Sequence, residues 1–137
     1  MTTNTAAVLP PARQDPRQVV NTLKRTVNWN DAGIGPGVQF ANSFPMGAVI
    51  LGAIVEIVTA FDAAAVLTVG TVGVAYNNLI AAGDVDEQTV GVTGPIMRGA
   101  GRGLTAAADV TPYAMVTGVL TVGQAVITYT FEGGFDS

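Results

Sequence analysis

Apolar and polar residues alternate along most of this chain. Val19, Leu23, Val27 and Trp29 fall on odd positions, with Thr22, Lys24, Thr26 and Asn28 on even ones. That is the period of a strand with one solvated face. The most apolar stretch, FPMGAVILGAIVEIVTAFD from Phe44 to Asp62, poses a choice between membrane span, buried helix and strand. A membrane helix needs about 20 apolar residues, but Glu56 ends the uncharged run that begins at Met46. Gly47 and Gly52 weaken a helix, and Val49, Ile50, Ile54, Val55, Ile57, Val58 and Thr59 are β-branched, which favours a strand. A strand from Ala48 to Ala60 is predicted, with Val49, Leu51, Ala53, Val55, Ile57 and Thr59 on one face. Ala48, Ile50, Gly52, Ile54, Glu56 and Val58 form the other. Two largely apolar faces imply a central strand, one face on the core and the other against a neighbouring subunit.

Further strands are predicted over Val19–Trp29, Val38–Ala41, Ala65–Gly70, Gln88–Met97, Gly103–Ala108, Tyr113–Gly118 and Ala125–Phe131, separated by Gly, Pro and Asp turns. Val74 to Ala82, with Tyr76, Leu79 and Ile80 grouped on one side and Gly83 as a stop, is the one helical candidate. Residues 1–18 contain Pro10, Pro11 and Pro16 without periodicity and read as an extended N-terminal arm, although Asp15-Pro16-Arg17-Gln18 also matches a helix start. The expectation is an all-β chain: one jelly-roll-like β-sandwich domain over residues 19–137, with one short helix and the arm preceding it.

Composition narrows the chemistry. The chain has 137 residues, 49% hydrophobic and only 12% charged, a surface poor in charge that suits a subunit covered in part by partners. Cys and His are both absent, which removes disulfides, thiolate nucleophiles and the commonest general base and metal ligand. The net charge of -4 is uneven: Arg13, Arg17, Lys24 and Arg25 lie near the start beside Asp15, while only Arg98 and Arg102 face nine acids beyond. Four spaced cations without interleaved aromatics make a poor phosphate track, so no nucleic acid partner is expected. They fit either a contact with an acidic protein surface or solvated charges on an arm. The opening MTTNTAAVLPPARQDP lacks the basic start and apolar core of a signal peptide. No membrane partner and synthesis in the cytoplasm are the corresponding expectations.

Candidate sites are few. Asp84, Asp86 and Glu87 form the densest acidic cluster; oxygens so close suit calcium, but the other ligands of a defined loop are missing and a solvated turn explains them too. The glycine clusters Gly33–Gly37 and Gly99–Gly103 have the composition of phosphate loops without the Gly-Lys-Ser/Thr ending. Serine occurs only at 43 and 137, outside any Gly-x-Ser-x-Gly elbow. Neither an enzyme nor a cofactor is therefore expected. Trp29, Tyr76, Tyr113 and Tyr129 suit a sugar-stacking face or core and interface packing. Trp29, Ile50, Ile54 and Val58 are the subunit-interface or core candidates.

The segments KRTVNWNDAGI, FPMGAVILGAIVEIVTAFD, LTVGT and NNLIAAGDVD, with a closing Val-Ile-Thr-Tyr strand, resemble small virion structural proteins of tailed bacteriophages over roughly residues 24 to 131. The resemblance implies a capsid cement or decoration protein: a jelly-roll body, a homotrimer, seated outside the head on the major capsid protein. Arg13, Arg17, Lys24 and Arg25 would then be capsid-contact candidates. A head-fibre base, neck or tail component, or a carbohydrate-binding β-sandwich, are the alternatives.

Overall fold

The computed structural model describes residues 20–73, 75–97 and 109–133. Among the described residues seven strands appear in chain order: β1 (Val20–Asn28), β2 (Val38–Gln39), β3 (Ala48–Thr59), β4 (Val66–Gly70), β5 (Gly91–Ile96), β6 (Tyr113–Thr117) and β7 (Gln124–Gly133). They form two antiparallel sheets, one four-stranded in the order β1-β7-β3-β5 and one three-stranded in the order β2-β6-β4. The apolar stretch that posed the opening question is thus a strand, and a central one. Among the described residues, no helix is long and apolar enough to cross a membrane. The predicted strand Gly103–Ala108 and the arm over residues 1–18 lie outside the described residues.

The inward side chains of both sheets meet in one apolar core. Tyr129 on β7 stands near its centre, with Phe44 edge-on at 5.5 Å and Phe40 at 6.2 Å. Phe44 also packs edge-on against Phe131. These edge-to-face contacts join β7 to the chain on either side of the β2–β3 turn and each adds about 0.5–1.5 kcal/mol beyond burial.

Two sequence expectations are corrected. The first is uniform alternation along β3. Ile50 pairs with Phe131 and Gly52 with Thr130, leaving Leu51 as an extra residue. Since side chains alternate with period two, this bulge switches the buried parity: Ala48 and Ile50 are buried before it, Ala53, Val55 and Ile57 after it. Gly52 carries the distortion at φ +154°, where a Cβ would lie 3.2 Å from Pro95 on β5.

The second is the helix over Val74–Ala82; no helix occurs among the described residues. Leu79 and Ile80 donate their N–H groups to the Val69 carbonyl, and Val69 donates back to Ile80, so the chain doubles onto β4. Asn78 accepts from the Thr71 N–H at 2.8 Å and donates to its hydroxyl at 3.0 Å. Tyr76 sits at φ +43°. Nine residues with two adjacent asparagines have little helical stability of their own, and asparagine competes for nearby backbone groups.

The Phe61-Asp62 turn after β3 fastens one end of the fold. Phe61 donates to the Glu87 carbonyl at 2.9 Å. The Asp62 carboxylate accepts from both the Thr121 N–H and its hydroxyl. Gly123, at φ +140°, presses on the Phe61 ring so closely that a Cβ would come within 2.2 Å of it. Because Phe61 is buried, the ring has no easy retreat. Gly123→Ala should therefore lower unfolding free energy by roughly 2–4 kcal/mol, through overpacking and backbone strain together. Gly35→Ala, which meets nothing within 4 Å, should change it by less than about 0.5 kcal/mol. Urea titrations of the two variants check the contrast.

Candidate interaction surface

The outer face of the four-stranded sheet combines aliphatic side chains with few charges. Cross-strand register places Lys24, Thr128 and Ile54 in one row and Thr26, Val126, Glu56 and Val92 in the next. The bulge at Leu51 turns Ile54 outward, 44% exposed, and Val58, itself the extra residue of a second irregularity, is 42% exposed. Val49 and Val92 are exposed on the same sheet. Glu56 is thus ringed by Ile54, Val58, Val126 and Val92, with Lys24 two strands away. Such a face binds by burying apolar area, with the carboxylate and ammonium setting register.

The other predicted contact residues separate. Ile50 points into the core. Trp29, just past β1, is 39% exposed and donates its backbone N–H to the Gly123 carbonyl. Arg13 and Arg17 lie outside the described residues. Lys24 is on the outer face, whereas Arg25, on the side of Leu23 and Val27, reaches across to β2. One guanidinium nitrogen of Arg25 donates to the Gln39 carbonyl at 3.3 Å and another lies 3.8 Å from the Asp31 carboxylate. Asp31 also accepts from the Asn28 N–H at 2.9 Å. The Arg25 cation is engaged within the fold, a role that a count of basic residues does not reveal.

The acidic cluster is divided among three separate tasks. Asp84 accepts from the Ala81 N–H at 2.9 Å, and Asp86 from the Gln88 N–H and the Thr89 hydroxyl. Glu87 turns inward, buried, and takes the Leu67 N–H of β4 at 2.8 Å. Among the described residues no three acids gather as a metal-holding group. The Gly33–Gly37 cluster closes a turn in which Gly37 donates to the Gly33 carbonyl; the cluster at 99–103 is outside the described residues. The aromatics do not form one platform: Trp29 follows the four-stranded sheet, while Tyr113 lies on the three-stranded one, stacked on Tyr76 at 4.7 Å and 17°.

Sequence reasoning passed over an uncharged depression of about 440 Å³ beside the start of β1, floored by Leu23, Pro45 and Phe131 and rimmed by Asn21, Asn42 and Ser43. It joins residues from three distant parts of the chain, so no local pattern announces it.

Among the described residues, Tyr129 holds the most perturbed group. Its hydroxyl is buried and finds no hydrogen-bond partner among them. Burial first, and the negative charge of Asp84 second, push the phenol well above its ordinary pKa.

No protein-family model matches the chain, and no curated protein matches it. Its fold is similar to that of a solved chain described as the cyanophage Pam1 capsid asymmetric unit, with a TM-score of 0.53, 16% identity and 93% of each chain covered.

The unpartnered Tyr129 hydroxyl gives a signed prediction. Its removal in Tyr129→Phe should leave stability at pH 7 unchanged or raised by about 1 kcal/mol, because a buried polar group without a partner is unfavourable. Above about pH 10 the phenol ionises in the unfolded chain but stays protonated in the fold, so the native state binds more protons and stability falls with rising pH, by up to about 1.4 kcal/mol per unit. The phenylalanine variant should lack that component of the alkaline decline, measured by urea unfolding between pH 8 and 11.

Proposed function

We propose that this chain is a bacteriophage virion structural protein of the cement or decoration type, bound outside the capsid and bridging major capsid subunits. The observation that carries the reading is the likeness of fold to a chain of a phage capsid asymmetric unit over 93% of both chains. The outward aliphatic face around Glu56 supports it, since Ile54, Val58 and Val92 leave apolar area exposed there. Jelly-roll connectivity, a homotrimeric state, a single body over residues 19–137 and a role without catalysis belong to the same proposal. Its place would be the virion, after synthesis in the host cytoplasm.

The physics of such a role is simple. A protein that binds the assembled shell but not the dissociated subunits adds its binding free energy to shell stability by mass action. Many symmetric copies multiply a modest contact through avidity. Arg13 and Arg17 on the leader, with Lys24 on the body, would engage acidic surface between capsid subunits, while the Ile54–Val58 face supplies apolar area.

Heads stripped of this subunit should disrupt at lower temperature and recover when the protein is added back, with copies numbering in the hundreds per particle. Deletion of residues 1–18, or paired Ile54→Asp and Val58→Asp, should weaken attachment at least about tenfold, equivalent to roughly 1.4 kcal/mol, while the isolated protein still melts cooperatively. Undiminished attachment by both variants, or about a dozen copies per particle, would overturn the assignment.

A further inference from the structure

We infer that the outer face of the four-stranded sheet pairs with the same face of a second copy about a two-fold axis, Lys24 of each meeting Glu56 of the other. Two opposite charges stand on this face without a partner in their own chain. Asp31, Asp62, Asp84, Asp86, Glu87 and Asp109 each accept from a backbone N–H, and Arg25 is held by Gln39 and Asp31. Lys24 and Glu56 are exposed and, among the described residues, make no such bond. Nor do they meet each other. Lys24 is on β1 and Glu56 on β3, with β7 between them and one row of offset. At about 4.8 Å per strand and about 6.8 Å per row, their backbones stand roughly 12 Å apart.

A second copy supplies both missing partners. Rotation by half a turn about an axis in the plane of contact, passing over β7 between Val126 and Thr128, carries each Lys24 onto the other copy's Glu56. Symmetry makes the pair twice. Residues on the axis meet their own images, so a charge there would face its like; Val126 and Thr128 are uncharged and half-buried. Ile54, beside Thr128 in the register and 44% exposed, adds apolar area next to the axis. Glu132, the remaining charge on this face among the described residues, is at the far end of β7. The area is sufficient as well. Four strands about 4.8 Å apart and averaging some 30 Å in length give a face on the order of 600 Å² in plan, before the relief of its side chains is added. A stable pair needs about 800 Å² of accessible surface from each partner. In the free protein this contact covers the aliphatic residues that the sheet turns outward. Where the same face meets the capsid, as proposed above, the two contacts exclude each other.

Sedimentation of the full-length protein, free of any capsid, should show its mass doubling as concentration rises. Lys24→Glu and Glu56→Lys should each raise the dissociation constant at least about tenfold, because each exchange turns two symmetric attractions into two repulsions. The two changes combined in one chain should restore pairing to within about threefold of the natural protein, and a mixture of the two single variants should form the mixed pair. A capsid surface keeps its own charges and cannot give that rescue. A mass that does not change with concentration would overturn the inference. So would single variants that pair as well as the natural protein, or a combined variant that pairs no better than either single one. Pairing is read without heads and attachment with them, so failure of this inference is distinguishable from failure of the capsid assignment.

Discussion

Leu51 has no partner on β7, and that insertion sets the parity of β3 from Gly52 to Ile57, up to the second irregularity at Val58. Without it, Ile54, Glu56 and Val58 would continue the inward face begun by Ala48 and Ile50, and a carboxylate would enter the core. Burying an unpaired charge costs several kcal/mol. Instead Ala53, Val55 and Ile57 fill the interior and Glu56 reaches solvent. The same step exports Ile54. The inward packing of Ala53, Val55 and Ile57 and the outward Ile54 and Glu56 are therefore two consequences of one backbone irregularity, fixed by a glycine at a φ that other residues rarely adopt.

A second constraint closes the end of the fold where three connections meet. Phe61 lies on Gly123, Asp62 receives Thr121, and Glu87 binds the start of β4 through Leu67 while its own carbonyl receives Phe61. Each bond is of ordinary strength, about 1 kcal/mol net. They nevertheless join loops separated by up to some 60 residues in sequence, so each loop restricts the freedom of the others. Glu87 explains why an acidic cluster need not signal a metal: a buried carboxylate aimed at a backbone N–H is already satisfied.

Strand existence was legible from the sequence because period-two alternation is local. The expected segments from Val19–Trp29 through Ala125–Phe131 return as β1 to β7, with ends shifted by no more than three residues, apart from the one outside the described residues. What alternation cannot disclose is an inserted residue, and so Ile54 and Ile50 were placed on a common face when the structure separates them. The helix expected at Val74–Ala82 is absent among the described residues because apolar grouping at Tyr76, Leu79 and Ile80 does not reveal the bonds back to β4 and Thr71 that compete with it; Asn78 takes the Thr71 N–H, and the Val69 carbonyl takes the Leu79 and Ile80 N–H groups. Arg25 was similarly readable only as a cation, since its partners Gln39 and Asp31 are supplied by another strand and a turn. The depression was invisible for the same reason, being built from residues 21–23, 42–45 and 131.

The placement of charge and apolar area accords with the proposed association. Among the described residues, Asp84, Asp86 and Glu87 are turned to separate backbone donors and the depression has an uncharged lining. Association needs dispersed area with a few charges to fix register. The outer sheet supplies that: four aliphatic side chains around Glu56, and Lys24 beyond Thr128. A sheet face of this kind is weak alone, because ordering and desolvation consume much of what burial yields. Repetition changes the balance, since each further contact made within one assembled shell is effectively intramolecular. A charge-poor surface that would be a liability on an isolated monomer would, under the proposed capsid role, become an advantage once many identical copies share a lattice.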